Sequence, residues 1–340
     1  MNKRLTIISL GVAVCVSLSG CGSIGKIAEK VKEQTTQAKQ ESNQAQDTAK
    51  YNTYIALSNY LTQRLDKTFE MYFQEFGGEE EIRIRKNFTG FNTIPVLQGH
   101  KDDVDKALAF ASKEPSYQAA DESVKALVPK LKELMETTGE MQTYYQNKAH
   151  AEDEFSKGKE LHKKLLVQFN QVSDLADKFF ADFAVITEQR KKEDLEELKK
   201  SDQLVRYHAM SIVNRAQDIQ KAFDKAGVTD DNVLDFDANQ YAELYKLLTE
   251  DIDKFTELSK DKERLKKEKV QIVPVFTDSI QRVKTAAADL MEILRTKDTT
   301  ISSDMKGKVT TGGKNMPLKN FDKRVSAVVD SYNTMIGLSR

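Results

Sequence analysis

The residues with the clearest chemical purpose lie near the start of the chain. Leu18-Ser19-Gly20-Cys21 follows the bases Lys3 and Arg4 and an apolar run from Leu5 to Leu18. That run is too short to span a bilayer comfortably and has the proportions of an export signal. Small residues directly before a cysteine are what a bacterial lipoprotein signal peptidase cuts. Cys21 then becomes the mature N-terminus, with acyl chains on its sulfur and its amine. The competing reading is an ordinary secretory signal with an incidental cysteine.

Other combinations fall short of a complete site. Asp235-Phe-Asp237-Ala-Asn239 begins like a calcium loop, with Glu243 at its ninth position. However, Gln240 stands where the turn needs glycine, and Lys246 where a bidentate glutamate is needed, which favours a helix capped by Asp237 or Asn239. Gly307 to Asn315 resembles a phosphate loop, but Gly313 sits ahead of Lys314 and Asn315 replaces the hydroxyl residue. His150 with Glu154, and Glu160 with His162, are pairs where a metal centre requires three or four converging ligands. No Gly-x-Ser-x-Gly elbow and no His-Glu-x-x-His pattern occurs. No catalytic residue, metal site or cofactor is expected.

Composition narrows the classes further. Cys15 and Cys21 are the two cysteines of the 340 residues. With the first removed and the second acylated, neither a disulfide nor thiol chemistry remains. Loss of Lys3 and Arg4 with the signal takes the formal charge from −1 to −3, which is no electrostatic footprint for nucleic acid. Charged residues make up 31% of the chain and proline and glycine are scarce, a balance that favours long solvated helices.

These features sit on elements that hydrophobic periodicity outlines. Gly22 to Lys50 is polar, with a weak heptad of small residues. It reads as a spacer, or as an alanine-type coiled coil, and reaches about 44 Å if helical at 1.5 Å per residue. Helical spacing strengthens from Tyr51 to Phe73 and stops at Gly77-Gly78. Glu79 to His100 reads as a loop. A short helix over about 102–112, broken at Glu114-Pro115, precedes one over about 117–148 that contains Pro129.

The stripe Leu165, Val172, Phe179, Ile186, interleaved with Phe169, Ala176 and Phe183, predicts a helix laid against other helices. A second stripe runs Val205, Ala209, Ile212, Ala216, Ile219, Phe223, and whether the two form one helix or break near Ser201-Asp202 stays open. Further helices are expected over Asn239 to about Arg295, bent or broken at Pro274, and over Leu318 to Ile336, with a loop from Thr296 to Pro317 between them.

Tyr51-Asn52-x-Tyr54-Ile55 with Asn59, Tyr144-Tyr145 followed by Asp153, Gly158 and His162, and the terminal Val329-x-x-Tyr332-Asn333-x-x-Ile336 together resemble the YiiG-like family of bacterial lipoproteins, a domain of unknown function. The likeness covers about Tyr51 to Leu338. It implies a helical exported lipoprotein and brings no catalytic residues with it. The recurring Tyr-Asn pairs read as structural, since a buried hydroxyl needs a partner that asparagine can supply.

The expected protein is therefore all-α, an elongated bundle of long antiparallel helices. Residues 1–20 form a signal, 21–50 a lipidated tether, and 51–340 the helical domain. It is expected to be anchored in the cell envelope, at the outer rather than the inner membrane because Gly22 replaces the aspartate that retains lipoproteins at the inner one. The leading function is a non-enzymatic module binding an envelope protein. The alternative is a carrier or sensor of an apolar ligand between helices. Phe88, Phe91 and Ile94 are the candidate contact residues, apolar side chains that a solvated loop has little reason to hold. They either fold back on the bundle or form a contact patch. Oligomeric state stays open.

Overall fold

The computed structural model describes residues 30–92, 94–300, 310–311 and 314–337. Cys21 and the first part of the tether lie outside the described residues, as does most of the glycine-rich stretch around Gly307 to Asn315. What is described is all-α apart from one pair of two-residue antiparallel strands, β1 (Thr310–Thr311) and β2 (Lys314–Asn315).

The first long helix, α1 (Lys30–Asn59), continues through a π-helical turn at Tyr60–Leu65 into α2 (Asp66–Phe76). The wider turn buries Tyr60, Leu61 and Leu65 without ending the helix. Gly77, at a φ of 84°, closes α2 as the glycine signal predicts. The irregular segment that follows is held to the helix it leaves. Arg83 donates its backbone N–H to the Phe76 carbonyl, and Arg85 forks onto the Glu75 carboxylate.

The next helix, α3 (Gln98–Phe110), starts four residues before the expected Asp102. Beyond it, α4 (Ala119–Gln146) runs unbroken through Pro129, because Leu127, Val128 and Leu131 around the proline are fully buried and hold the helix in place. The predicted stripe lies on α5 (Ser156–Lys200), with Leu165, Val172, Ala176, Phe179 and Phe183 buried and Ile186 half-buried.

Asp202, in left-handed conformation, resolves the open question of a break: α5 ends and α6 (Leu204–Lys225) begins beyond it. All six residues of the second stripe are buried on α6. The span expected as one helix from Asn239 to Arg295 is three: α7 (Ala238–Leu258), α8 (Lys262–Lys267) and α9 (Val273–Thr296). Asp261 caps α8 by accepting from the Glu263 and Arg264 N–H groups. Pro274 sits in the first turn of α9, where its missing N–H costs nothing. The closing helix is α10 (Pro317–Gly337), and its Leu318 N–H donates to Asp230 at 2.7 Å.

The span drawn from sequence as one domain, 51–340, divides its packing between two compact units, the first ending at Gln189 and the second starting at Arg190. In the first unit α1 packs on α3 and α3 on α4. Tyr54 meets Phe179 and Phe69 meets Phe169, which joins α1 and α2 to α5. In the second unit α6, α7, α9 and α10 pack in a ring, a four-helix bundle around Phe223, Tyr241, Phe255, Phe276 and Phe321.

Candidate functional site

The irregular segment from Gly77 to Leu97 leads to a cluster built from five pieces of chain. Tyr72 and Phe76 come from α2, Phe88 and Phe91 from the segment itself, and Tyr144 and Tyr145 from the end of α4. His150 lies on the short 3-10 turn Ala149–Ala151, and His162 is on α5. Helical spacing brings Tyr72 and Phe76 to one face, and the neighbouring Tyr144 and Tyr145 meet edge to face at 4.9 Å.

His162 is fully buried and fully satisfied. Its Nε2 lies 2.8 Å from the Glu79 carbonyl oxygen, which can only accept, so Nε2 carries the proton. Nδ1 then accepts from the Tyr72 hydroxyl at 2.9 Å. Burial holds the imidazole below its ordinary value, and the Glu79 carbonyl opposes that only in part. The ring is a neutral hydrogen-bonded brace that ties α5, α2 and the irregular segment together.

Tyr144 donates to Asp153 at 2.7 Å, and the other oxygen of that carboxylate accepts from the Lys157 N–H at 3.0 Å, capping the first turn of α5. Gly158 lets the helix approach: a Cβ there would lie 3.2 Å from the Tyr144 hydroxyl and 3.3 Å from that of Tyr145. The Tyr145 hydroxyl and His150 Nδ1 are buried without a hydrogen-bond partner. His150 therefore belongs to an aromatic box with Phe88, Tyr145 and Phe155, with ring centroids 5.0 to 5.8 Å apart, and it does not converge with Glu154. Phe155 carries no periodic signal. It enters the box only because Glu154 and Phe155 both take positive φ in the tight turn before α5.

Of the two arrangements open for the loop residues, the rings fold back. Phe88 packs on Phe76, Tyr145, His150 and Phe155, and Phe91 on Tyr72, Phe76 and Tyr145. The Ile94 carbonyl accepts from Gln142 on α4 at 2.7 Å. All three side chains are partly buried, while Leu97, further along, is 53% exposed.

A second polar cluster lies where composition draws the end of the tether. Lys50 is completely buried. Its ammonium donates to the carbonyls of Lys113 and Pro115, both at 2.9 Å, and to Asp121 at 2.8 Å, and it lies over the Tyr117 ring. Asp121 also accepts from the Tyr54 hydroxyl at 2.6 Å and the Tyr117 N–H at 2.8 Å. The partner of Tyr54 is thus an aspartate on α4 and not an asparagine. The side-chain oxygens of Asn52 and Asn333 are buried with no partner at all. Lys50 stands one turn before Tyr54, so the register of the apolar stripe already placed it inward, although its charge argues otherwise.

The remaining candidates take plain structural roles. Asp237 caps α7, accepting from the Gln240 N–H at 2.7 Å, in place of any calcium loop. Among the described residues no three or more His, Cys, Asp or Glu side chains converge as a metal site would require. A cleft between Leu61, Leu65, Phe169 and Phe180 has a volume of about 10 Å³, the scale of one water and far below that of a ligand pocket. Among the described residues no helix is long and apolar enough to cross a membrane.

Fold and site together define a helical protein in which His162, Tyr54, Tyr72 and Tyr241 brace the packed segments through buried hydrogen bonds. The chain belongs to the family described as a protein of unknown function (DUF3829), which residues 45–334 match. That match begins just before Asp47, whose carboxylate accepts from the Tyr117 hydroxyl. No curated protein and no solved structure matches the chain.

Proposed function

We propose that this protein is a lipid-anchored, non-enzymatic module of the bacterial cell envelope that binds another envelope protein through the rim at Ile94 and Leu97, which the packed rings of Phe88 and Phe91 support from beneath. The observation that carries the reading is the state of that rim. Its rings are seated on a rigid aromatic base while the apolar row keeps an exposed face, and an irregular segment on a fixed scaffold is where recognition usually resides. His162, Tyr72 and Tyr144 beneath it are committed to hydrogen bonds between segments of the scaffold, which supports binding over catalysis.

The Leu18 to Cys21 motif supports the anchor, and acyl chains contributing roughly 0.8 kcal/mol per buried methylene hold a protein at the membrane. Gly22 favours the outer membrane where the cell has one. Within the family, the Tyr51-Asn52-x-Tyr54, Tyr144-Tyr145 and Tyr332-Asn333 patterns support kinship with the YiiG-like lipoproteins.

Two measurements test the proposal together. Metabolic labelling with palmitate marks the wild type and leaves Cys21→Ser unlabelled; label retained by the variant refutes the anchor. A photo-crosslinking residue at Leu97 gives one discrete adduct with an envelope protein in cells, while the same residue at the exposed Glu136 of α4 gives none. Equal patterns at both positions remove the rim from consideration.

A further inference from the structure

The connection from α7 to α9 combines two properties that solvated loops rarely share. From Lys260 to Lys269 it carries six basic residues, Lys260, Lys262, Arg264, Lys266, Lys267 and Lys269, against Asp261, Glu263 and Glu268. Arg264 is committed to Glu268 and Asp202, and Lys267 to Asp202 at 2.7 Å. Lys260, Lys262, Lys266 and Lys269 are exposed and form no ion pair among the described residues. Lys262 and Lys266 are four apart and share one face of α8, a helix with no buried residue.

Directly after them the chain turns aliphatic at the surface. Ile272 is 43% exposed and Val275 50% exposed, with Pro274 exposed between them. Ile272 also holds a φ of 53°, a left-handed conformation that a β-branched side chain rarely adopts. The segment is nevertheless firmly based. Buried Glu268 accepts from the Val205 and Arg206 N–H groups at the start of α6, and Val270 is buried.

Unpaired lysines beside a projecting aliphatic tip fit one partner chemistry, a layer with phosphate charge outside and hydrocarbon just beneath. We propose that Lys260 to Val275 docks on an anionic lipid surface, its free lysines at the headgroup phosphates and Ile272 and Val275 below them. This contact is separate from the lipid anchor and stands whether or not Cys21 is acylated.

The chain contains no tryptophan, so Val275→Trp creates a single fluorescent reporter at the tip. The full chain carrying it is reconstituted into vesicles of phosphatidylcholine alone or with one third phosphatidylglycerol. The expected result is a blue-shifted emission, quenched by lipids brominated on their acyl chains, in the phosphatidylglycerol vesicles only, and reversed by 0.5 M salt. Adding Lys262→Gln, Lys266→Gln and Lys269→Gln weakens local docking about a hundredfold, from roughly fivefold per lysine, and abolishes the shift. Because only the tip carries the fluorophore, an acyl chain at the N-terminus does not produce the signal. The same emission in both vesicle types, or a shift that survives the triple substitution, overturns the proposal.

Discussion

Lys50 shows how much depends on a single buried charge. An ammonium taken wholly out of water is tolerable only with every donor used, and its three bonds to Asp121 and the carbonyls of Lys113 and Pro115 do that. Lys50→Met removes the cation and leaves the buried Asp121 carboxyl with only the Tyr54 hydroxyl and the Tyr117 amide as partners. The expected loss is about 3–5 kcal/mol, read from the urea unfolding midpoint. Asp322 presents the opposite case. Burial pushes its carboxyl up to about 6 from the ordinary 3.8, with Asp224 and Asp230 adding to the rise and the Gln220 amide opposing it. A carboxyl raised in the fold loses stability as pH climbs from its unfolded value through its folded one. Asp322→Asn mimics the protonated form and still accepts from Gln220. Because Asp322 is exposed to solvent, which screens its charge, the substitution is expected to stabilise by under about 1 kcal/mol at pH 7, with the gain vanishing below about pH 4. Urea titrations at the two pH values check both halves.

At the scale of elements, the helices owe their order to apolar stripes and to caps supplied from elsewhere in the chain. On α5, Phe179 is fully buried, stacked with Phe183 at 5.5 Å and edge-on to Tyr54. Phe179→Ala opens a cavity between α1 and α5 and is expected to cost about 3–5 kcal/mol, a large share of a domain's margin, visible as a lowered melting temperature. The N-termini of α6 and α10 are capped differently from that of α7. Asp237 caps α7 from the adjacent position, whereas Glu268 and Asp230 reach α6 and α10 from far along the chain. Local capping is readable in sequence; capping across dozens of residues is not, because it exists only once the helices have packed.

Across the whole molecule, stability comes from burial within two units, each with its own core. The chain has only Cys15 and Cys21, both before the first described helix, so no disulfide can bridge the described packed elements. Thermal unfolding followed by circular dichroism is therefore expected to be unchanged by a reducing agent; a lowered midpoint in dithiothreitol contradicts this.

The all-α class, the stripes on α5 and α6, the stop at Gly77 and the cap at Asp237 were legible in the residues themselves. Each rests on periodicity or on a contact within one turn of chain. The same holds for the expectation that Phe88 and Phe91 had to find apolar company. Tertiary structure alone decided which company. It set Phe88 against His150 and Phe155, gave Tyr54 an aspartate in place of an asparagine, turned Lys50 inward, and divided one span of helices into two units. These outcomes join residues dozens of positions apart, and their energies come from desolvation and pairing, which no local pattern carries. Sequence alone determined which faces must be buried; packing decided what they are buried against, because only there do a charge, a ring and a carbonyl from distant segments share one volume.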